Sequence, residues 1–191
     1  MKKKYFHDEY KLTQELWKQT DKKRAHIANF RLVAAAVMVL GLGIWWKESR
    51  ILGIILTVAA LAAFLALVRY DQAVGEKADL LDAKKKVLER YLARFDDKWH
   101  EFADNGEEYR DEKYTNGIDL DIFGARSVFQ YINIAHTTMG RDSLARALKG
   151  EYLAELSARQ EAVRELSTEP ESAVRLESVA QKFMGEKREN R

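Results

Sequence analysis

Two long apolar runs without a charged residue dominate the first part of the chain. They occupy residues 32–46, with Phe30 just in front, and residues 51–68. As helices rising about 1.5 Å per residue, residues 30–46 and 51–68 reach roughly 25–27 Å, close to the ~30 Å hydrocarbon core of a bilayer. Neither run has the polar face that a surface helix of a soluble domain needs. The pattern predicts a transmembrane helical hairpin over residues 30–70.

The residues at the ends of the two runs fit this prediction. Arg31 and Arg69 can extend their charged groups away from the hydrocarbon. Trp45, Trp46 and Tyr70 lie where interfacial aromatic residues are found. Small residues at four-residue spacing allow close helix packing, and the second run contains two such pairs: Ala59 with Ala63, and Ala62 with Ala66. The alternative is a buried hairpin in a soluble core, whereas a signal peptide fits poorly because a polar segment precedes the first run.

The connection between the runs, residues 47–50, is too short for anything but an antiparallel hairpin, so both chain ends lie on one side. Basic residues are concentrated toward those ends: Lys2, Lys3, Lys4, Lys11, Lys18, Lys22, Lys23, Arg24 and Arg31 precede the first run, and Arg69, Lys77, Lys84, Lys85 and Lys86 follow the second. The positive-inside rule then predicts a multi-pass protein of the inner cell membrane with both termini cytoplasmic. Residues 1–29 become a basic cytosolic leader, which either touches anionic lipid headgroups or is simply solvated.

Composition narrows the fold and the chemistry. The chain of 191 residues has 32 basic and 30 acidic residues, a balance that does not indicate a nucleic-acid binder. It has no cysteine, which excludes disulfides, thiolate zinc sites and a cysteine nucleophile. One proline and ten glycines leave long segments without a helix breaker and favour an all-α fold. The four histidines are scattered without ligand spacing, so we expect no metal site and no cofactor in this chain.

Residues 71–103 are predicted to continue the second span as one long stalk helix. Apolar residues follow the 4-3 spacing of a coiled-coil seam, namely Leu81, Leu88, Leu92, Phe95, Trp99 and Phe102. Two interpretations remain open: a homodimer formed through this seam over residues 81–102, or a helix packed on its own domain. Residues 104–117 form a polar loop with two Asn-Gly turn signals.

Beyond this loop the pattern predicts short elements. Residues 118–124 alternate apolar and acidic residues like an extended segment, and a helix bearing Val128, Phe129, Tyr131, Ile132 and Ala135 follows. A turn over 137–140 leads to a helix from Arg141 to Lys149, and then to a helix lined by Leu153, Leu156, Val163 and Leu166. Thr168 to Glu171 reads as a capping box with Pro170 in the first turn of a last helix.

A series of motifs in residues 118–166 resembles the MutS family. They are Asp119-Leu120-Asp121-Ile122-Phe123-Gly124, Ser127-Val128-Phe129-Gln130-Tyr131-Ile132-Asn133, Thr138-Met139-Gly140-Arg141 with Leu144-Ala145, and Arg159-Gln160-Glu161-Ala162-Val163-Arg164-Glu165-Leu166. The likeness is to the start of the helical core domain in membrane-anchored MutS-like proteins, where paired transmembrane helices come first. It implies that residues 118–191 are a small helical core-domain fragment.

The resemblance assigns structural rather than catalytic roles to the motif residues, which are Asp119, Asp121, Phe123, Gly124, Phe129, Gly140, Arg141, Arg159 and Gln160. Phe123, Phe129 and Ile132 would anchor the core, Gly124 and Gly140 would supply turns, and Arg141, Arg159 and Gln160 would make polar contacts between packed helices. Two acidic residues, Asp119 and Asp121, are too few for a cation site. The chain departs from the family at residues 147–150, where the family has a tryptophan-leucine pair and then a proline.

The motifs that the sequence lacks also bear on function. MutS-like proteins hydrolyse ATP with a C-terminal domain that carries a GxxxxGK[ST] loop, and no such string occurs in this chain. ATP, Mg and mismatched DNA are therefore implied only for a full-length relative. We expect this chain to be a non-enzymatic membrane-anchoring N-terminal portion of a MutS-like ATPase. The alternative is a self-contained membrane adaptor that binds a protein partner or dimerises, while a membrane enzyme has little support because neither span contains a charge.

Overall fold

The computed structural model describes residues 2–47, 50–111 and 119–189. Its α-helices are α1 (Lys2–Lys47), α2 (Arg50–Phe95), α3 (Val128–Ile132), α4 (Thr138–Leu148), α5 (Leu156–Thr168) and α6 (Pro170–Glu189), and its 3₁₀ turns are Trp99–Glu101, Glu107–Tyr109 and Leu153–Glu155. The all-α prediction is confirmed, since these described residues contain no strand. The chain divides into two compact units: unit 1 is Met1–Lys11 with Ala83–Arg191, and unit 2 is Leu12–Asp82.

Some predicted features lie outside the described residues. These are Glu48 and Ser49 of the connection between the spans, the Asn116-Gly117 turn signal, Ile118, and the side chains of Trp45, Trp46 and Leu153.

Unit 2 is an antiparallel pair formed by α1 and α2. Arg31 Nη1 lies 3.0 Å from Asp71 Oδ2 on the facing helix, and Gly41 faces Gly53 and Thr57. A Cβ atom on Gly41 would lie 2.7 Å from Thr57 Oγ1, so the two backbones approach closely at this glycine.

The small residues that allow this approach differ from the predicted ones. Gly41, Gly53 and Ala60 are buried, whereas the predicted pairs are exposed: Ala59, Ala62, Ala63 and Ala66. The prediction was wrong because four-residue spacing alone does not give the rotation of a helix about its axis. That rotation is set by the partner helix.

The basic leader is helical along its described length. It forms the first part of α1, and Thr13, Thr20 and Ile27 are buried there at seven-residue intervals. This repeat keeps one face of α1 toward α2. Arg24 lies on that face, with its guanidinium over Gly75 of α2.

Unit 1 has a core in which three helices meet. Phe6 of α1, Val87 and Leu88 of α2, and Val174 of α6 form one buried cluster. Phe6 also stacks on Tyr91 with ring centroids 4.7 Å apart. Leu88 is fully buried by its own chain, so at this seam position the structure has the helix packed on its own domain, and homodimerisation stays a prediction.

Helix α2 ends at Phe95, short of the predicted end at 103. Asp97 has a φ of 57°, and the Lys98 N–H donates to the Ala93 carbonyl at 2.8 Å. This is the hydrogen-bond pattern of a Schellman C-cap, in which one left-handed residue terminates the helix. The sequence pattern overestimated the length of α2 because the apolar spacing continues past the cap.

Residues 119–127 form turns instead of the predicted extended segment. Asp121 has a φ of 48° and Gly124 a φ of 103°, values that a strand does not allow. The Val128 N–H donates to the Asp121 carbonyl at 2.9 Å. The Ser127 side chain then caps α3 by accepting from the Gln130 N–H.

The predicted capping box at Thr168 is absent. Thr168 is the last residue of α5, and its hydroxyl donates to the Glu165 carbonyl at 2.7 Å. Pro170 begins α6 as predicted, because its fixed φ and missing N–H suit the first helical position. Glu169 alone separates the two helices.

Replacing Gly41 with leucine tests the close packing of unit 2. The new side chain would collide with Thr57, so we expect the free energy of unfolding in detergent to fall by about 1–3 kcal/mol. Gly43→Leu is the matched control, because a Cβ at Gly43 meets no described atom within 4 Å. Circular dichroism during denaturant titration measures both variants. Equal midpoints for the two variants would contradict the packing.

Candidate functional site

The apolar halves of α1 and α2 form the first candidate site. Both helices are long and apolar enough to cross a membrane, and only 11% of the most apolar 18-residue window of each is buried. Leu32 is 72% exposed and Ile51 73% exposed. The core helix of a soluble protein would be mostly buried, so the two helices could span a membrane.

A charged pair marks the polar end of this apolar region. Arg31 donates to Asp71 and also lies over the Phe64 ring, with 5.6 Å from its Cζ to the ring centroid. Because both charges are partly buried, the pair compensates their loss of hydration and fixes the register of the two helices. The sequence indicated Arg31 at this boundary but not its partner Asp71.

The motif region of unit 1 is built around aromatic rings. Phe123 and Phe129 are buried with Ala145 in one cluster, and Tyr109 packs on both rings at centroid distances of 5.9 and 5.5 Å. Phe129 also lies directly over Gly106, where a Cβ atom would come within 2.6 Å of its ring, and Gly106 has a left-handed φ of 71°. Ile132, the third expected anchor, is 40% exposed.

The glycines and acidic residues of the motif take different places. Gly124 occupies a turn with a left-handed φ, whereas Gly140 lies in the first turn of α4 and donates its N–H to Thr137 Oγ1. Asp119 and Asp121 are exposed. Among the described residues, no group of three or more histidine or acidic side chains is placed to hold a metal ion.

Arg141 is the most connected motif residue. Its guanidinium pairs with Asp104 at 2.7 Å and with Glu108, and it lies over the Tyr109 ring. Although burial opposes the charge, the hydrogen bond and charge of Asp104 raise the pKa of Arg141. It therefore fastens α4 to the segment before the motif, where we had expected a contact between packed helices.

The two later motif residues lie near the surface. Arg159 is 3.5 Å from Glu155 one turn earlier and lies 4.5 Å from the centroid of the Tyr152 ring. Gln160 is exposed. The structure therefore groups Phe123 and Phe129 in one cluster and brings Arg141 to its edge through Tyr109, while Arg159 makes local contacts.

Two polar motif residues that we had not singled out are among the most buried in unit 1. Gln130 donates from Nε2 to the Phe102 carbonyl at 2.6 Å. Asn133 donates to Asp104 and accepts from the Ala135 N–H. In the sequence, Gln130 and Asn133 could have been noticed as polar residues among the apolar residues of a predicted helix.

Unit 1 also contains a cleft of about 720 Å³ with both polar and apolar lining residues. Its titratable residues are Arg90, Glu101, Asp104, Glu108, His136 and Arg141. Arg141 is held by two of these carboxylates, and Arg90 donates to the Asn133 carbonyl at 2.8 Å. Both guanidinium groups already have partners within the protein. A ligand in the cleft would therefore meet basic and acidic side chains together and not an unpaired arginine.

A buried polar group lies beside the cleft. His136 Nε2 is 3.3 Å from Glu177 Oε1, and both side chains are less than a tenth exposed. Burial, together with the neighbouring Glu177 carboxylate, raises the pKa of Tyr91 to about 12. Burial also lowers the pKa of Arg94, and the charge of Glu177 offsets part of that decrease. This group links α2, α6 and the segment before α4.

Comparison with known proteins returned no match: no family model, no curated protein and no solved structure matches the chain.

Replacing Glu177 with glutamine tests the buried polar group. Since the carboxylate raises the pKa of Tyr91, we expect that pKa to fall from about 12 while staying above 10, because burial remains. The stabilisation due to the neutral Tyr91 phenol is complete below pH 10 and is lost between pH 10 and about 12 in the wild type. In Glu177→Gln this loss should begin and end at lower pH.

Ultraviolet titration of the phenol groups measures this change. Subtracting the curve of a Tyr91→Phe variant isolates Tyr91 from Tyr109, whose pKa burial and Asp142 also raise to about 12. Glu165→Gln, at an exposed position on α5, is the matched control. An unchanged Tyr91 curve in Glu177→Gln would show that the carboxylate does not act on this phenol.

Proposed function

We propose that this chain is the membrane-anchoring N-terminal portion of a MutS-like ATPase. The observation that carries the anchoring role is the pair of long antiparallel helices whose apolar windows are only 11% buried. In hydrocarbon, a helix satisfies its own backbone hydrogen bonds, and exposed leucine, isoleucine and valine side chains meet their preferred solvent.

The MutS-like assignment rests on the motifs in residues 118–166 and on their order after a hairpin. The packing is consistent with structural roles for the motif: Phe129 is fully buried, and Arg141 joins α4 to the preceding segment. Because no known protein matches the chain, the assignment rests on these motif residues alone.

In this proposal the chain itself is not an enzyme. It contains no GxxxxGK[ST] loop to hold the phosphates of a nucleotide. Binding of ATP, Mg and mismatched DNA would belong to a C-terminal part of the full-length protein, and the contribution of this chain is to hold that part at the membrane.

We further propose a multi-pass location in the inner cell membrane with both termini cytoplasmic. The support is the distribution of basic residues: the connection between the spans carries only Lys47 and Arg50, while the flanking segments are rich in lysine and arginine.

Single cysteines test this topology, because the natural chain has none. In intact cells, a membrane-impermeant maleimide should label Ser49→Cys, which lies between the two spans in the sequence. It should label Lys4→Cys and Glu161→Cys only after the cells are opened. Labelling of all three in intact cells, or release of the protein from membranes by alkaline carbonate, would rule out the anchored hairpin.

A self-contained membrane adaptor is the second candidate. Its support is the apolar face of α6 that points away from the unit 1 core, where Leu176 is 69%, Val179 54% and Phe183 65% exposed. Such a face suits a protein partner or a second copy of the chain.

The coding sequence distinguishes the two candidate functions. A phosphate-loop motif in frame after the Arg191 codon supports the MutS-like ATPase, and a stop codon there supports the adaptor.

A further inference from the structure

Six basic residues lie in segments 21–31 and 69–77 of unit 2, just beyond the apolar region. Arg31 pairs with Asp71. The other five have no ion pair or hydrogen bond with any residue that the structure describes: Lys22, Lys23, Arg24, Arg69 and Lys77. We call these five residues the basic collar.

Local charge in unit 2 cannot neutralise the collar. Segments 21–31 and 69–77 contain six basic residues and three acidic ones. The pair between Arg31 and Asp71 uses one of each sign. The collar therefore keeps an excess of positive charge on a surface next to the apolar helices, and an anionic partner would lower its electrostatic free energy.

Arg24 is held in place although it has no anionic partner. Its guanidinium lies over the buried Gly75, where a Cβ atom would come within 3.6 Å of Nη2. The Arg24 side chain thus packs on α2 with no carboxylate partner among the residues that the structure describes.

The position of the collar indicates which anion it meets. Arg69 directly follows the second apolar run, and Arg24 precedes Arg31 by two helical turns, about 10 Å along the axis. The headgroup layer extends roughly 5–8 Å beyond each side of the hydrocarbon core. Arginine side chains at these positions are long enough to reach the level of lipid phosphates, where bidentate guanidinium–phosphate hydrogen bonds are strong.

We propose that the basic collar binds the headgroups of anionic phospholipids, with Arg24 and Arg69 contacting phosphate and the three lysines adding a less specific attraction. This inference rests on the proposed membrane anchoring. Nucleic acid also presents phosphates, but the collar adjoins the apolar helices, which commits it to the membrane surface.

Lipid retention by the purified full chain tests the proposal. The protein in neutral detergent is incubated with phosphatidylglycerol or phosphatidylcholine, repurified, and assayed for lipid phosphorus per chain. We expect several-fold more phosphatidylglycerol than phosphatidylcholine on the wild type. The double variant Arg24→Gln with Arg69→Gln should lose this preference and retain the two lipids about equally.

The matched control is Arg110→Gln with Arg146→Gln, which removes the same charge from exposed residues of unit 1 and should keep the preference. Equal retention of both lipids by the wild type, or equal loss in the two double variants, overturns the collar. So does binding of a labelled DNA duplex that depends on Arg24 and Arg69 without any lipid preference.

Alkaline carbonate extraction of membranes separates the two possible failures. Release of the wild type into the soluble fraction would defeat the anchoring function itself. Resistance to extraction without a phosphatidylglycerol preference would overturn only the collar.

Discussion

Antiparallel pairing of α1 with α2 is the interaction on which unit 2 depends. Thr13, Thr20 and Ile27 are buried at seven-residue intervals, and the buried Gly41 lies fourteen residues after Ile27. A buried repeat of this period keeps one seam of a helix toward its partner. Within unit 2, the polar stretch of α1 before Arg31 and the apolar stretch after it therefore turn the same side of the helix toward α2.

Buried polar side chains organise the second half of unit 1, where helices are short. Gln130 binds the carbonyls of His100 and Phe102, and Arg94 binds the carbonyls of Tyr131 and Asn133. A buried carbonyl without a donor is costly, so these side chains replace the hydrogen bonds that a longer helix would supply. The second half of unit 1 thus combines the aromatic cluster of Phe123 and Phe129 with these polar hydrogen bonds.

How far the sequence predicted the structure differs between elements. The helical nature of the apolar runs was predictable, because long uncharged segments without proline allow little else. The burial of Phe123 and Phe129 was expected from the resemblance. The pairing of the leader was missed, since its buried positions include Thr13 and Thr20 among charged neighbours. The end of α2 was misplaced because a left-handed aspartate, Asp97, carries no distinctive pattern.

The sequence by itself determined the lengths of the two apolar runs, their antiparallel order and the charge on either side of them, because these follow from local composition and a short connection. Only the tertiary structure decided which residues face each other: Arg31 with Asp71, Phe6 with Leu88, and Glu177 beside Tyr91. Such partners lie far apart along the chain, and their contact depends on helix rotation and register. Those two properties are fixed by packing and not by the local sequence.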